Sequence, residues 1–272
     1  MPTRLLGEVV AQGSRSCVHA YGRGAVAKVP KPTTPDSWIV FEAEYGEAVR
    51  AAGAPAPSLL GIEKISGRQA SVWERAGGVS MWQHVVERPD RSAEMGRLLA
   101  EVQQGLFELV PPVTLPAQRD RLTSKIRWSA ANVDPSLTGA LALLPADADT
   151  PRLCHGDLHP SNVILTDDGP TIVDWFDASR GDRVADVARS LLTLLGDGAT
   201  APSHLPGSDA GTLAVLTDAY LLRLREGIDI SPDLLSRWQA INAAARLAEG
   251  VPRGRLLEVW HGYGAEAQAV VG

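Results

Sequence analysis

The sequence has few cysteines and no long hydrophobic run. Only Cys17 and Cys154 are present among 272 residues, so we expect no disulfide framework and a reducing, cytoplasmic setting. The N-terminal residues contain neither a long apolar core nor a small-residue cleavage site, so no signal peptide is expected. Nor does any run of about 18 apolar residues predict a membrane span. The net charge of −6 argues against a nucleic-acid or anionic-membrane surface, because both favour clustered Lys and Arg.

Hydrophobic and turn patterns divide the chain into a β-rich part and a helical part. Segments rich in β-branched or aromatic residues, separated by glycines and turns, predict strands at 7–12, 17–21, 25–29, 62–65 and 69–73. One helix is predicted over 36–52, and beyond Gly77-Gly78 apolar residues recur mainly at helical spacing. We therefore predict an N-terminal lobe over residues 1–76 and a larger, mainly helical lobe over residues 77–272.

One segment of the helical part, LCHGDLHPSNVILTDDGPTIVDWFD from Leu153, places polar residues around a predicted hairpin. Its strands should bring Asn162 beside Asp174, with Asp157 just outside them. Amide and carboxylate oxygens that point into one space suit Mg²⁺, and a neighbouring carboxylate can accept a hydroxyl proton. Such a set of groups predicts phosphoryl transfer, in which positioning and charge neutralisation supply most of the catalysis.

The string H-G-D-x-x-x-x-N at 155–162, followed by a hairpin and I-V-D-W, resembles the aminoglycoside phosphotransferase and choline-kinase-like family, relatives of the protein kinases. The resemblance covers nearly the whole chain in its order of elements. It implies an α+β, protein-kinase-like two-lobed fold, with a small antiparallel β lobe that includes one helix. It also implies ATP or GTP as phosphoryl donor, Asp157 as catalytic base, and Asn162 and Asp174 as Mg²⁺ ligands.

The same resemblance implies a set of nucleotide-binding residues. Lys28, in AVAKVPKP, would hold the nucleotide phosphates. Its glutamate partner should lie on the next helix, which offers Glu42, Glu44 and Glu47. Glu44 is preferred for its distance from the following prolines, and Glu47 is the second choice. The remaining expected contacts come from the phosphate-covering loop and the hinge between the lobes: Gly13, Ser14, Glu74 and Ala76.

Two departures from the protein-kinase pattern predict a small acceptor. Gly156 stands where many protein kinases have arginine, and the segment from Asp174 to Asp186 is too short for a peptide-docking platform. The expected partner is therefore a small-molecule hydroxyl acceptor: an aminoglycoside, a nucleoside-type antibiotic, a sugar or an amino alcohol. An aminoglycoside would need clustered carboxylates in the helical lobe, and the C-terminal segment offers only Glu258 and Glu266. A non-catalytic nucleotide-binding pseudokinase and a protein kinase are the alternative functions.

Other polar residues near this motif have structural explanations. The resemblance implies that Asp186 bonds the backbone of the catalytic loop, and Asp182 should cap the following helix. We expect Asp177 to lie in a solvated turn, with a metal or substrate contact as the alternative. We expect His159 to have a structural or supporting role, with a contact to phosphate or acceptor as the alternative.

Overall fold

The N-terminal part of the protein is built on an antiparallel sheet. The computed structural model describes residues 6–146, 150–195, 207 and 209–271, with the backbone alone for residues 195 and 264–271. The sheet has five strands in the order β1-β2-β3-β5-β4. They are β1 (Leu6–Gln12), β2 (Ser16–Tyr21), β3 (Ala25–Pro30), β4 (Leu59–Ile65) and β5 (Arg68–Glu74).

One helix, α1 (Asp36–Ala51), packs against this sheet, mainly on β5. Its buried residues recur at helical spacing along one face: Ile39, Glu42, Ala43, Gly46 and Val49. Gly46 permits the close approach, because a Cβ there would lie 2.5 Å from the Trp73 ring. The packing therefore buries the one charged residue of that face, Glu42, between helix and sheet.

After β5 the chain enters a part with short strands and many helices. β6 (Gly78–Ser80), β8 (Val163–Thr166) and β9 (Gly169–Ile172) form a small sheet in the order β6-β8-β9, and β7 (Arg152–Cys154) pairs with β10 (Ser179–Gly181). The helices are α2 (Met81–Glu87), α3 (Ser92–Phe107), α4 (Gln118–Asn132), α5 (Gly139–Leu143), α6 (Arg183–Leu195), α7 (Ala210–Gly227), α8 (Pro232–Arg246) and α9 (Gly254–Val271).

The core of the helical part contains a buried polar connection as well as apolar side chains. Helices α3 and α7 approach closely at Gly96, where a Cβ would lie 2.2 Å from the Leu216 carbonyl oxygen. The buried Tyr220 hydroxyl donates to the Gln103 amide oxygen. The Gln103 amide nitrogen donates in turn to the Asp186 carboxylate at 2.9 Å. Because buried polar groups need partners, this connection holds the Asp186 carboxylate in place from the helical core.

The observed elements confirm the predicted α+β fold, with a small antiparallel sheet, one helix and a larger helical part. Each predicted strand of the sheet is present, and β4 begins earlier than expected, at Leu59. The lobe boundary at residue 76 stays a prediction. No helix in the described part of the chain has the length and hydrophobicity needed to cross a bilayer.

The pairing of β6 with β8 predicts a contrast between two adjacent glycines. A Cβ on Gly78 would lie 1.9 Å from the Leu165 carbonyl oxygen, whereas one on Gly77 would have no heavy atom within 4 Å. We expect Gly78→Ala to lower the free energy of unfolding by about 1–3 kcal/mol, because the backbone must move. Gly77→Ala, the matched control, should stay within about 0.5 kcal/mol of the parent. Urea denaturation measures both, and equal effects would contradict the close pairing.

Candidate active site

The β8–β9 hairpin places Asn162 next to Asp174. Val163 pairs with Ile172, and the N–H of Val173 donates to the Asn162 carbonyl oxygen at 3.0 Å. Asn162 therefore lies opposite Val173, the residue that precedes Asp174. Asp174 has φ 66° and ψ 63°, a left-handed conformation that costs free energy in a residue other than glycine. Surrounding contacts must enforce that conformation, which marks Asp174 as a candidate functional residue.

The His155 ring braces the loop before this hairpin. Its Nδ1 accepts the N–H of Asp157 at 3.2 Å, and its Nε2 lies 3.1 Å from the Val173 carbonyl oxygen. These two bonds assign the proton to Nε2. The ring also packs against Trp175, with the ring centroids 4.6 Å apart. His155 thus ties the backbone at Asp157 to the strand that leads into Asp174.

The backbone around Gly156 requires glycine and is held by Asp186. Gly156 has φ 77°, and a Cβ there would lie 2.2 Å from the Asp177 carbonyl oxygen, which explains why the arginine of many protein kinases has no counterpart here. The Asp186 carboxylate accepts the N–H of Gly156 at 2.7 Å and that of His155 at 3.3 Å. Burial raises the pKa of Asp186, an effect that these hydrogen bonds oppose. The structural role predicted for Asp186 is confirmed.

Asp157 is held at both its backbone and its carboxylate. Its carbonyl oxygen accepts the side-chain N–H of Asn162 at 3.0 Å. Its Oδ1 accepts from Arg189 Nη2 at 2.9 Å, and the side chain is 28% exposed. Burial raises the pKa of Asp157, but the surrounding basic groups, of which Arg189 contributes most, together outweigh burial and hold that pKa below its ordinary range. Asp157 is therefore ionised at neutral pH and able to accept a hydrogen bond from a hydroxyl.

Lys28 lies between two carboxylates. Its Nζ is 2.5 Å from Glu42 Oε1 and 3.0 Å from Asp174 Oδ1. Burial lowers the pKa of Lys28, but the carboxylates of Asp174 and Glu42 outweigh burial and raise it. The pKa of Glu42 is also raised: burial, together with the negative charge of Asp174, outweighs the ammonium group of Lys28. The three side chains form one ionic unit that joins β3, α1 and the end of the hairpin.

The prediction that Glu44 is the partner of Lys28 is wrong. Glu44 is exposed, two residues from Glu42 and so on the other side of α1. Glu47, the alternative, accepts the N–H of Leu59 at 3.1 Å and pairs with Arg50. The apolar stripe of α1 carried the missing signal, because it assigns position 42, and not 44, to the face that packs on the sheet.

The loop expected to cover nucleotide phosphates lies close to the Lys28 unit. Gly13 and Ser14 belong to the turn between β1 and β2, which is closed by a 2.9 Å bond from the Gly13 N–H to the Ser16 carbonyl oxygen. The turn, Lys28 and Asp174 line one cavity. The structure thus brings together four of the residues that the resemblance implied.

At the expected hinge, two backbone groups already have partners. The N–H of Glu74 donates to the Ser58 carbonyl oxygen, and that of Arg75 donates to the Gly24 carbonyl oxygen, both at 2.9 Å. A purine contact at Glu74 would therefore use its carbonyl oxygen. The contact expected at Ala76, which is half-buried, stays a prediction.

A second group of charged residues, which we call the ionic cluster, lies on the other side of Asp157. It consists of Arg15, Arg121, Lys125, Asp177, Arg189, Arg246 and Glu249. The expectation of a solvated turn for Asp177 is wrong, because its side chain is 6% exposed and accepts from Arg121 and Lys125 at 2.7 Å each. Local sequence gave no signal for this cluster, since its members come from separate elements.

Arg15 connects the cavity that Lys28 lines to the ionic cluster. It lies in the β1–β2 turn and lines the cavity that contains Lys28. Its Nη1 is 3.6 Å from Asp177 Oδ2. The guanidinium group also lies over the rings of Phe176, at 4.6 Å, and Trp38, at 5.5 Å, in the geometry of cation–π contacts. The sequence analysis did not single out this residue.

Two further expectations concern Asp182 and His159. Asp182 Oδ1 accepts the N–H of Val184 at 2.7 Å at the start of α6, which confirms the predicted cap. His159 is buried, and its Nδ1 accepts the N–H of Ser161 at 3.3 Å. Burial lowers the pKa of His159 to about 4, assisted by the charges of neighbouring basic groups and opposed by Asp157.

Solved structures of phosphotransferases share this fold. The aminoglycoside-3'-phosphotransferase of type VIII matches with a TM-score of 0.62 and 19% identity, over 89% of this chain and 93% of its own. A thermostable mutant of aminoglycoside phosphotransferase APH(4)-Ia, in ternary complex with AMP-PNP and hygromycin B, matches with a TM-score of 0.61 and 17% identity, over 99% and 93%. A choline/ethanolamine kinase family protein from Mesorhizobium loti matches with a TM-score of 0.52 and 16% identity, over 99% and 88%. The fold is therefore the kinase-like fold that the resemblance implied.

The sequence itself gives the family. The profile described as phosphotransferase enzyme family (APH) matches residues 16–210, a span that includes Lys28, Asp157, Asn162 and Asp174. This chain belongs to the phosphotransferase enzyme family. No curated protein matches it significantly.

The lowered pKa of His159 predicts a specific dependence of stability on pH. Between pH 6.5 and about 4 the unfolded chain binds a proton on His159 that the folded chain does not bind, so stability falls as pH falls through this window. From pH 7 to pH 5 this residue should remove about 2 kcal/mol from the free energy of unfolding. His159→Asn keeps a hydrogen-bond acceptor for Ser161 and should lose about 2 kcal/mol less over the same interval. Chemical denaturation at both pH values tests this, and identical losses in the two proteins would contradict a neutral, buried His159.

Proposed function

We propose that the protein is a Mg²⁺-dependent kinase that transfers the γ-phosphoryl group of ATP or GTP to a hydroxyl of a small molecule. The observation that carries this proposal is the Lys28 unit, in which one ammonium group joins Glu42 and Asp174 at the cavity formed by the β1–β2 turn. Asn162 is hydrogen-bonded to Val173, the neighbour of Asp174 in sequence, and to the Asp157 carbonyl oxygen. ATP, GTP and Mg²⁺ are cytoplasmic, which agrees with the cytoplasmic setting expected from the sequence.

The nucleotide would occupy the cavity between the β1–β2 turn and Lys28. Backbone N–H groups and the Ser14 hydroxyl can meet phosphate oxygens there, as turns rich in small residues do in other anion sites. Lys28 would neutralise phosphate charge, and the purine would reach the backbone at Glu74 and Ala76. The solved APH(4)-Ia structure that matches this fold holds AMP-PNP, and a matching aminoglycoside 2'-phosphotransferase-IIIa structure holds GDP, which supports a nucleotide donor.

The donor atoms of Asn162 and Asp174 fit Mg²⁺. The Asn162 amide nitrogen donates to the Asp157 carbonyl oxygen, so its amide oxygen faces away from that bond, and Asp174 remains 44% exposed. In the described part of the chain no three His, Cys, Asp or Glu side chains converge on a metal position. That suits an ion such as Mg²⁺, which takes few protein ligands and shares phosphate oxygens. When bound, Mg²⁺ would neutralise charge on the phosphates.

Asp157 would orient the acceptor hydroxyl and take its proton. The hydroxyl oxygen forms a bond to the γ-phosphorus while the bond from that phosphorus to the β–γ bridging oxygen breaks. The nucleoside diphosphate leaves with the electron pair, and the hydroxyl proton passes to the Asp157 carboxylate. An alcohol is a far weaker acid than a carboxyl group, so the proton moves late and the first task of Asp157 is to aim the oxygen.

Replacing Asp157 with Asn tests the proposed reaction. The change keeps shape and a hydrogen-bonding group but removes basicity and charge, so kcat should fall about 10²–10⁴-fold. Nucleotide affinity should stay within a few-fold of the parent. Transfer of labelled γ-phosphate from ATP or GTP to a panel of hydroxyl compounds, followed by mass spectrometry, measures the activity.

Asp168→Asn is the matched control, because Asp168 is exposed in the turn of the same hairpin; it should retain parental activity. An unchanged kcat in Asp157→Asn would refute the assignment. Loss of nucleotide binding in step with kcat would instead make Asp157 part of the metal site.

The contact between Lys28 and Glu42 predicts that replacing Glu42 lowers nucleotide use, whereas replacing the nearby Glu44 does not. Glu42→Gln removes a charge-assisted hydrogen bond to Lys28 and should lower kcat/KM for the nucleotide by about tenfold or more. Glu44→Gln, on the exposed side of the same helix, should behave like the parent. Steady-state kinetics with varied nucleotide distinguishes the two; a loss confined to Glu44→Gln would overturn the assignment of Glu42.

A further inference from the structure

The cavity beside Asp157 is lined by the ionic cluster except Arg15, which lines the cavity of Lys28 instead. Gly156, which precedes Asp157, and Arg189, which binds the Asp157 carboxylate, form part of its wall. Arg121 and Lys125 reach it from α4, where they are four residues apart and so share one helix face. This is the space in which an acceptor hydroxyl could approach Asp157, so its charge bears directly on the chemistry of the acceptor.

Both carboxylates of the ionic cluster are already neutralised. Asp177 accepts from Arg121 and Lys125 at 2.7 Å each. Glu249 accepts from Lys125 at 2.7 Å and from Arg189 at 2.8 Å. Burial raises the pKa of each, but the surrounding cations outweigh burial and lower both values. An ammonium group that entered this cavity would have to compete with these ion pairs.

The carboxylates around this cavity already have donors. The four cationic side chains of its wall pair with Asp157, Asp177 and Glu249; they are Arg121, Lys125, Arg189 and Arg246. The Asp186 carboxylate, which also lies in the wall, accepts backbone N–H groups of the catalytic loop. An ammonium group would therefore have to displace an existing donor at any of these carboxylates.

One donor among these cations lacks a partner in the described part of the chain. Arg189 is 5% exposed, and its Nη2 is shared between Asp157 and Glu249. Within the described part of the chain its Nη1 is buried and has no hydrogen-bond partner. A buried guanidinium N–H without an acceptor costs free energy. An oxygen-rich anion in the cavity would remove that cost, whereas a cation would add to it.

We propose that the acceptor is a hydroxyl compound with an anionic group, a carboxylate or a phosphate ester, and that this group binds to Arg121, Lys125 and Arg189. The hydroxyl then points to Asp157. This inference rests on the proposed phosphotransferase function and gives its acceptor the opposite charge to that of a polyamine antibiotic. It also assigns the ionic cluster a role in choosing the acceptor.

Four compounds on one six-carbon polyol frame test the proposal: glucitol, glucamine, gluconate and glucitol 6-phosphate. Calorimetric titration with the parent protein should give gluconate or glucitol 6-phosphate an affinity about tenfold or more above that of glucitol, and glucamine should bind most weakly. The tighter of the two anions identifies the group as carboxylate or phosphate. Equal binding of all four, binding of none, or a preference for glucamine overturns the proposal.

Hydrolysis of ATP and GTP without any acceptor separates this inference from the proposed function. Mg²⁺-dependent hydrolysis without anion preference would leave the phosphotransferase assignment standing and overturn the anionic acceptor. An anion preference with neither hydrolysis nor Mg²⁺-dependent binding of ATP or GTP would support the anion-binding cavity and count against the phosphotransferase assignment.

A pair of variants on α4 links the preference to the ionic cluster. Lys125→Gln should weaken binding of the preferred anion about tenfold and leave the affinity for glucitol unchanged; Asp177 keeps Arg121 as a partner, so folding should persist. Arg127→Gln removes the same charge from the exposed side of the same helix and should bind like the parent. If both variants lost the same affinity for the anion, the preference would come from long-range charge and not from this cavity, and the assigned site would be overturned.

Discussion

The ammonium group of Lys28, held between Glu42 and Asp174, joins three elements that are far apart in the sequence. Taking these charges out of water costs free energy, and only a close arrangement of both carboxylates offsets it. Since β3 supplies the cation, α1 one carboxylate and the end of the β8–β9 hairpin the other, the N-terminal sheet and the catalytic segment are aligned by this contact. Asp174 makes this contact from a left-handed backbone conformation, with φ 66°.

Each of the two candidate reactive carboxylates is held by a cation from another element. Lys28 holds Asp174, and Arg189 holds Asp157. Both carboxylates nevertheless remain partly exposed, Asp174 at 44% and Asp157 at 28%, so each keeps oxygen surface for a ligand. Fixing one oxygen while leaving another accessible is a way to orient a reactive group before substrate binds.

The loop between these carboxylates is supported from the helical core. Tyr220, Gln103 and Asp186 form a buried chain of hydrogen bonds that ends at the backbone N–H groups of His155 and Gly156. Because every donor in this series of hydrogen bonds has an acceptor, the buried polar groups add rigidity without the free-energy cost of an unpaired group. Gly156 also packs so closely on the Asp177 carbonyl oxygen that a side chain at position 156 would not fit. This contact further restricts the loop.

The sequence by itself determined the elements and the part of the site that lies within one hairpin. The strands, α1 and the neighbourhood of Asn162 and Asp174 depend on periodicity and on a short turn, which are local properties. The pairing of Lys28 with Glu42 lay partly within reach, since the phase of the apolar stripe on α1 distinguishes position 42 from position 44. The burial of Asp177 and the existence of the ionic cluster could not be predicted from the sequence. The reason is that the charged residues concerned come from well-separated parts of the chain: Arg15, Arg121, Lys125, Arg189 and Glu249. Which of these charges meet depends on how the helices and the β1–β2 turn face one another across the cavity. Local patterns do not encode that, so only the tertiary structure decided it.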